Sequence, residues 1–408
     1  MRKLTLSFVG ATVASMAFAN PEVSNITSSQ DVGSRRVVVN YTLANDPAII
    51  TLVVETNSVE NGWVSIGDKN LTFVTGEANK VVQPGTRQLV WMPNKAWPNM
   101  KISEGNIRVG VKAWALNAPP EIMAVNLKVR NTVNYYSSAD AVPGGITSDL
   151  YKTDVLVMRN IPAAGVTWTM GSPESEFQHA SNEAAHTVTM SADYYIGVYP
   201  VTQRQFELIH SAHARPSTFK LEADYATRPV ETIAYSTMVN WCGNLLTAHS
   251  GVFFDMPTNE QWEYACRAGT GTSLYNGESV PSRLNDELAV SENLARIGRY
   301  RYNGGHVGYA FDEYGVSQSQ KGDAPADKAN CTADHGSAKV GSYEPNAWGL
   351  YDMIGNVWEL CKKEGSAVWR RGGAWNGTVG GCRSACRRTF LETGADPAIG
   401  FRVVSPIQ

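Results

Sequence analysis

The sequence contains neither a Cys-x-x-Cys pair nor a His-Glu-x-x-His stretch, two spacings that are typical of zinc sites. We therefore expect no zinc centre. Lysine and arginine residues are dispersed along the chain, and the formal net charge is only −3. Nucleic-acid binding requires a concentrated basic surface, so we expect no nucleic-acid partner. Beyond the first residues no apolar run is long enough to cross a bilayer, and we expect no transmembrane anchor.

The beginning of the chain has the arrangement of a secretory signal. Arg2 and Lys3 precede an apolar run, and Ala17-Phe18-Ala19 supplies a cleavage site with small residues at both ends. We predict that residues 1–19 are a signal peptide and that the protein is secreted or periplasmic. The alternative is a buried N-terminal helix. No cysteine directly follows the cleavage site, so a lipid-anchored form is not expected.

The predicted export determines whether the cysteines are expected to be oxidised or reduced. All six lie in the C-terminal two-thirds of the chain: Cys242, Cys266, Cys331, Cys361, Cys382 and Cys386. In an oxidising compartment an even number within one domain favours one to three disulfides, and spacing alone does not give the pairing.

Residues 20–130 show short runs with an apolar residue at every second position, separated by turn residues. In RRVVVNYTL this places Val37, Val39, Tyr41 and Leu43 on one face, and in IRVGVKAWAL it places Val109, Val111 and Ala113 together. Strands of this length and spacing predict an all-β sandwich of the immunoglobulin or fibronectin kind. Residues 131–153 lack periodicity and contain a Pro-Gly-Gly turn, so we predict a linker.

Residues 154–408 differ in composition and patterning, with few regular elements and many Gly, Trp, Asn and Pro residues. Thr202 with Gln205, and Thr258 with Gln261, have the capping-box spacing that begins a helix. The stretch STMVNWCGNLL predicts a helix with Met238, Cys242 and Leu245 along one apolar stripe. Short helices separated by long stretches without periodicity indicate an irregular α+β domain.

Six stretches in this second domain occur in a recognisable order: YYIGVYPVTQRQFELI, RPVETIAYSTMVNWC, FDMPTNEQWEYACRAGT, NAWGLYDMIGNVWEL, RRGGAW and IGFRVV. Together they resemble the formylglycine-generating enzyme (sulfatase-modifying factor) family. The resemblance implies a C-type-lectin-like fold, often stabilised by calcium. It also implies a copper-dependent oxidase that converts a sulfatase cysteine to formylglycine with molecular oxygen.

That activity needs two thiolates that hold copper(I) between them, because soft sulfur ligands suit this ion. In the active enzymes both cysteines follow a Gly-Gly-Ser turn, with four residues between them. Here the turn reads Gly372-Gly373-Ala374, and Gly377 stands at the position of the first cysteine. An ungapped count gives Cys382 as the second cysteine, whereas CRSACRR resembles the strand that follows the catalytic pair. In an extended strand Cys382 and Cys386 would lie roughly 13 Å apart, too far to share a metal.

In GLYDMIGNVWEL the resemblance implies four calcium ligands: the side chain of Asp352, the carbonyls of Gly355 and Val357, and the side chain of Glu359. A mixture of carboxylates and carbonyls suits calcium. The alternative is that Asp352 caps a turn and Glu359 pairs with an arginine. The resemblance also places Trp358 beside the family's active cleft.

Other polar residues are interpreted as structural. Arg383 and Arg402 are expected to be buried arginines that bridge carboxylates and carbonyls. His186, His210 and His213 are expected to satisfy local hydrogen bonds rather than to bind metal.

Our leading hypothesis is an exported protein without copper chemistry that binds a protein or glycan at the cell surface or in the periplasm. One alternative is a formylglycine-generating oxidase in which Cys382 and Cys386 hold copper. A second alternative is a calcium-dependent glycan binder, which the lectin-like fold and the many tryptophans favour.

Overall fold

The computed structural model describes residues 20–103, 105–210, 215–280, 291–301, 303–304 and 336–407. The predicted signal peptide, His213 and Cys331 lie outside the described residues. The described chain is mostly β-sheet, arranged in several sheets, with few helices. None of the helices in these ranges is long and apolar enough to cross a membrane.

The N-terminal part forms two sheets. Its strands are β1 (Glu22–Gln30), β2 (Val37–Ala44), β3 (Ala48–Ser58), β4 (Gly62–Ser65), β5 (Val74–Gly76), β6 (Val81–Val82), β7 (Gly85–Trp91) and β8 (Ile107–Trp114). One sheet has the order β1-β2-β7-β5, and in the other β3 pairs with β4, β6 and β8. All pairs are antiparallel, and a single apolar cluster contains buried residues from both sheets.

The predicted alternation along these strands is confirmed. In β2 the four residues Val37, Val39, Tyr41 and Leu43 are buried, and the residues between them are half-exposed. The predicted face of β8 packs against the same cluster. Alternation follows from strand geometry, because successive side chains point to opposite faces. The finer assignment to an immunoglobulin- or fibronectin-like sandwich stays a prediction.

The C-terminal part is built on a five-stranded sheet. Its strands and those of two smaller sheets are β9 (Ile122–Asn126), β10 (Val133–Tyr136), β11 (Val155–Ile161), β12 (Thr167–Met170), β13 (His186–Thr189), β14 (Tyr194–Gly197), β15 (Trp358–Leu360), β16 (Val368–Arg371), β17 (Arg387–Phe390), β18 (Ile399–Phe401) and β19 (Val404–Pro406). The orders are β10-β9-β11-β14-β19, β12-β13 and β17-β16-β15-β18. Only β15 and β18 pair in parallel within the last sheet.

The segment predicted as a linker differs from that expectation. Residues 131–153 contain strand β10, which pairs with β9, and β9 in turn pairs with β11. The two tyrosines of β10 explain the difference, because Tyr135 and Tyr136 are both buried and Tyr135 packs against Tyr195. A four-residue strand is too short to show a periodic pattern in the sequence.

The helices are short: α1 (Pro93–Ala96), α2 (Leu150–Thr153), α3 (Gln203–Ile209), α4 (Tyr235–Val239), α5 (Thr247–Ser250), α6 (Asn259–Arg267) and α7 (Glu292–Ile297). Residues Asn240–Leu246, between α4 and α5, are π-helical. Both predicted capping boxes are confirmed: in α3 and α6 the threonine accepts from the backbone of the glutamine, whose side chain returns a bond to the threonine N–H.

Two apolar clusters fill the C-terminal part. We call the first the Trp375 cluster; it also contains Trp358, Phe401 and Cys386. We call the second the Trp262 cluster; it also contains Cys266, Cys361 and Cys382. Residues 372–386, which connect β16 to β17, contribute side chains to both clusters. This connection carries the glycines and cysteines on which the copper hypothesis depends.

Candidate functional site

The connection between β16 and β17 begins with a glycine turn. Gly372 and Gly373 have φ angles of 90° and 80°, a region that side chains rarely adopt. A Cβ atom added at Gly373 would lie 2.4 Å from Sγ of Cys382. The Gly-Gly pair is therefore required by the backbone and by the close approach of Cys382.

Gly377, where the resemblance implies the first copper cysteine, lies in a tight turn. The N–H of Gly377 donates to the carbonyl of Ala374 at 2.8 Å, and the carbonyl of Gly377 accepts from the N–H of Arg301 at 2.9 Å. A Cβ atom at Gly377 would meet the oxygen and nitrogen of Ala374 at 3.1 and 3.2 Å. Ala374 stands where the active enzymes have serine and is fully buried. The turn thus provides neither the hydroxyl nor the first thiol.

Cys382 and Cys386 do not lie in a strand, as CRSACRR had indicated. Strand β17 begins at Arg387, and the N–H of Cys386 donates to the carbonyl of Arg383 in a turn. The two side chains nevertheless pack in different places, Cys382 in the Trp262 cluster and Cys386 in the Trp375 cluster. Packing in two separate apolar clusters does not match the facing thiol pair that copper(I) requires.

Burial also works against thiolate formation. Desolvation raises the pKa of Cys386 to about 11, with Arg383 opposing it, and raises that of Cys266 to about 12. Burial likewise raises the pKa of Cys242 and of Cys361. The thiolate is the metal ligand and the nucleophile, so these cysteines behave as small apolar core residues.

The predicted disulfides are not found among the described cysteines. Cys242, Cys266, Cys361, Cys382 and Cys386 are all buried, and no two of these five are joined. Sγ of Cys242 lies 3.7 Å from Sδ of Met256, which places it within the Trp375 cluster.

The predicted calcium ligand Glu359 is engaged by protein groups. Its Oε1 accepts from Nη2 of Arg402 at 2.9 Å, and its Oε2 accepts from Nε1 of Trp262 at 2.7 Å and Nε of Arg402 at 3.1 Å. Both ionic partners are at most 1 % exposed. The pairing of Glu359 with an arginine, the alternative considered from the sequence, is therefore present.

The other predicted ligands lie in a turn that supports neighbouring loops. Oδ2 of Asp352 accepts from the N–H of Gly341 at 2.6 Å, and burial raises the pKa of Asp352 to about 6. Gly355 has a φ of 76°, and an added Cβ would lie 2.4 Å from the carbonyl oxygen of Arg299. Asn356, between Gly355 and Val357, donates its N–H to that carbonyl at 2.7 Å.

This arrangement does not fit calcium. The ion takes six to eight oxygens, whereas both oxygens of Glu359 are engaged and a guanidinium adjoins them. Among the described residues no group of three or more His, Cys, Asp or Glu could hold a metal ion. Calcium binding at Asp352, Gly355, Val357 and Glu359 stays a prediction, which the Arg402 pair argues against.

The structural interpretation of two arginines is confirmed. Arg383 donates to Glu183 at 2.8 Å and to the carbonyl of Gln178 at 2.8 Å. Arg402 donates to the carbonyls of Gly197 and Tyr351, both at 2.7 Å, as well as to Glu359. Both arginines connect the first strands of the domain to its last segments.

Trp358, His186 and His210 contact neighbouring protein groups. Trp358 is buried in the Trp375 cluster, and the guanidinium carbon of Arg370 lies 5.0 Å from its ring centroid. The ring of His210 stacks on Phe206 at 5.3 Å, and Nδ1 of His186 lies 2.9 Å from the carbonyl of Ala184.

One buried pair escaped the sequence analysis. Nη1 of Arg371, the residue just before the connection, donates to Oε2 of Glu263 on helix α6 at 2.7 Å. The available signal was an acid four residues before Arg267 on helix α6, the spacing of an ion pair on one helix face. That spacing identifies the Arg267 contact but not the long-range partner Arg371.

Curated proteins similar to this chain include one named as a chaperone, one named as a formylglycine-generating enzyme and one named as an inactive form of that enzyme. "Chaperone protein LppX" of Paenibacillus barcinonensis is 27% identical over 266 residues, which cover 55% of this chain and 84% of that protein. "Formylglycine-generating enzyme" of Mycobacterium tuberculosis is 30% identical over 147 residues, which cover 35% of this chain and 36% of the enzyme. "Inactive C-alpha-formylglycine-generating enzyme 2" of Bos taurus is 27% identical over 163 residues, which cover 37% and 43% of the two chains.

Two solved structures are also similar. "Treponema denticola variable protein 1" has a TM-score of 0.45 and 20% identity, and the similarity covers 62% of this chain and 95% of that one. "PvdO from Pseudomonas aeruginosa" has a TM-score of 0.44 and 21% identity, with 62% and 94% covered. A family model, the "Sulfatase-modifying factor enzyme 1-like domain", matches residues 158–407. Because this match takes in more than half of the sequence, the chain belongs to the sulfatase-modifying factor family.

Proposed function

We propose that this chain is an exported member of the family that lacks copper oxidase activity and that acts by binding another exported protein. The observation that carries the proposal is the separation of Cys382 from Cys386. The two lie in different apolar clusters, and Gly377 stands at the position of the first copper cysteine. Cys382 and Cys386, packed in separate clusters, therefore offer no pair of facing thiolates for a soft metal ion.

The relatives support the same conclusion. Similar proteins include the bovine one that is named inactive, alongside one named as a formylglycine-generating enzyme. The relative named a chaperone is matched over 84% of its length, more than either enzyme quoted above. A chaperone acts by binding a protein, so we favour a protein partner over a glycan. The signal pattern of residues 1–19 supports a partner at the cell surface or in the periplasm.

Oxidase activity is tested by incubating the purified full chain, copper and oxygen with a peptide that contains the sulfatase Cys-x-Pro-x-Arg motif. We expect no aldehyde product, measured by mass spectrometry, while an active formylglycine-generating enzyme converts the peptide in parallel. Stoichiometric copper(I) binding that is lost in Cys386→Ser, together with aldehyde formation, would refute the proposal and establish the oxidase alternative.

Protein binding is tested separately. A chemically denatured exported protein is diluted into buffer with the full chain, and aggregation is followed by light scattering. We expect suppression at equimolar chain, and none with serum albumin at the same concentration. Aggregation that is unchanged over a tenfold excess of chain would count against a chaperone-like role but would not restore the oxidase.

A further inference from the structure

A cavity of about 190 Å³ opens at one end of the N-terminal sheets, far in sequence from the cysteines. Strand β1 ends beside it, β2 begins beside it and β7 ends beside it, because Gln30 pairs with Val37 and Val37 with Trp91. The residues that line it include Gln30, Arg35, Trp91, Asn94, Trp97 and Met100.

Two tryptophans form the apolar wall. The rings of Trp91 and Trp97 stack with centroids 6.5 Å apart and an interplanar angle of 28°. Nε1 of Trp91 donates to the carbonyl of Asn70 at 3.1 Å, and Trp91 is only 1% exposed. The half-buried Trp97 is therefore the ring of this pair that a ligand can contact. Met100 lines the cavity while 49% exposed, and an exposed flexible thioether adapts to different ligand shapes.

The rim carries one charge. Arg35 is the only charged residue among the thirteen described residues that line the cavity. It has a φ of 56°, an unfavourable conformation for a residue other than glycine, asparagine or aspartate.

Neighbouring side chains hold Arg35 at the rim. Nε2 of Gln30 donates to the carbonyl of Arg35 at 3.1 Å, and Nδ2 of Asn94 donates to the carbonyl of Ser34 at 3.3 Å. Oδ1 of Asp31 accepts from the N–H and the hydroxyl of Ser34, both at 2.6 Å. The backbone that carries the guanidinium is thus fixed from two sides.

We propose that this cavity is a binding site for a small carboxylate that carries one aromatic ring. An apolar cavity of about 150 Å³ accepts benzene, so the volume here suits a single ring. The ring would lie against Trp97, extending the stack that Trp97 makes with Trp91. The carboxylate would pair with Arg35, because a guanidinium offers two parallel donors to a carboxylate. This binding site is independent of the function proposed for the C-terminal domain.

The test uses the full chain and 4-fluorophenylacetate, with binding followed by fluorine NMR. For a ligand of this size we expect a dissociation constant of about 0.1–1 mM. Arg35→Gln is expected to weaken binding about three- to tenfold. Arg36→Gln is the matched control, because Arg36 is an exposed neighbour that does not line the cavity.

Two further comparisons test the ring and the charge. 4-Fluorophenylacetamide, which is neutral, is expected to bind as weakly to the wild type as the carboxylate binds to Arg35→Gln. Hexanoate is expected to displace the aromatic ligand only at severalfold higher concentration. Trp97→Ala is expected to abolish binding, and circular dichroism shows whether this variant is folded. If it is unfolded, the comparison of Arg35→Gln with Arg36→Gln still tests the proposal.

The proposal is overturned by no detectable binding at 10 mM ligand, or by equal affinity in Arg35→Gln and Arg36→Gln. Equal affinity for 4-fluorophenylacetate and 4-fluorophenylacetamide would show that Arg35 does not bind the carboxylate. Equal displacement by hexanoate removes the requirement for an aromatic ring.

Discussion

Arg371 and Glu263 form an ion pair that is almost completely removed from solvent, with 2.7 Å between Nη1 and Oε2 and side-chain exposures of 0% and 1%. The carboxylate also accepts from Nε of Arg267 at 2.9 Å and from the N–H of Gly171 at 2.8 Å. Arg371 is the last residue of β16, immediately before the Gly-Gly turn. The pair therefore ties the start of the 372–386 connection to helix α6.

Removing one member of this pair is expected to be costly. Glu263→Gln leaves the guanidinium of Arg371 buried without its counter-charge, and we expect a loss of about 3–5 kcal/mol in the free energy of unfolding. Urea denaturation measures the loss. Glu260→Gln, one turn earlier on the same helix and half-exposed, is the control and should change stability by less than about 0.5 kcal/mol. A loss below about 1 kcal/mol for Glu263→Gln would contradict the pair's importance.

The same pair predicts a pH dependence. Burial alone would raise the pKa of Glu263, but Arg371 and Arg267 outweigh it and hold the pKa below its ordinary value. A carboxyl group whose pKa is lower in the folded state stabilises the fold at pH values above its unfolded-state pKa, which is about 4.3. This stabilisation is lost as the pH falls through the lower pKa of the folded state. The stability difference between wild type and Glu263→Gln should therefore shrink below about pH 4. A constant difference from pH 7 to pH 3 would contradict the lowered pKa.

Local rules predicted much of the fold, and one helix shows where they fail. The capping boxes of Thr202 and Thr258 are present because they depend only on neighbours in the sequence. The apolar stripe predicted from Met238, Cys242 and Leu245 holds only for its first two residues. Leu245 is only half-buried, and its neighbour Leu246 is fully buried instead. Residues Asn240–Leu246 form a π-helix, whose wider turns hold an extra residue and so shift the buried position.

The candidate site was less predictable because its partners are distant in the sequence. The resemblance identified Gly377 as a position without a thiol, and the structure adds the tight turn with Ala374. No local pattern shows that Cys382 would pack against Gly373, or that Glu359 would meet both Trp262 and Arg402. Such contacts are fixed by the packing of whole elements.

The glycine turn provides a direct test of the connection. In Gly373→Ala the new Cβ would clash with Sγ of Cys382, 2.4 Å away, and the φ of 80° adds backbone strain. Strain and overpacking together should cost about 2–4 kcal/mol of unfolding free energy. Chemical denaturation followed by tryptophan fluorescence measures it.

Gly365→Ala is the matched control, because its φ of 57° is also left-handed but an added Cβ has nothing within 4 Å. It should cost only the strain, about 1–2 kcal/mol. Cys382→Ala should relieve part of the clash, so the double-mutant cycle with Gly373→Ala should give a coupling of about 1 kcal/mol. Equal costs for the two glycine variants and no coupling would show that Cys382 does not pack on this turn.

Calcium provides a third test. Because Arg402 and Trp262 engage the carboxylate of Glu359, we expect 5 mM calcium to leave the thermal midpoint unchanged relative to magnesium or a chelator. An ion that binds the folded chain raises its stability by mass action, about 2.7 kcal/mol at one hundred times the dissociation constant. A rise that disappears in Asp352→Ala would restore the calcium site and require Arg402 to leave Glu359.

Thiol reactivity tests whether the cysteines form a working pair. A Cys331→Ser variant retains five cysteines, all buried. A disulfide reagent reacts with accessible thiolate, and the pKa of Cys386, raised by burial to about 11, leaves only about one part in a thousand ionised at pH 8. We expect no release from the native chain over minutes and five equivalents after denaturation. Fewer than five would reveal a disulfide among them. Rapid reaction of the native chain that is reduced by Cys386→Ser would mean that this thiol is exposed and ionised. The separation of Cys382 and Cys386 into two apolar clusters would then be wrong, and the proposed absence of copper chemistry would lose its support.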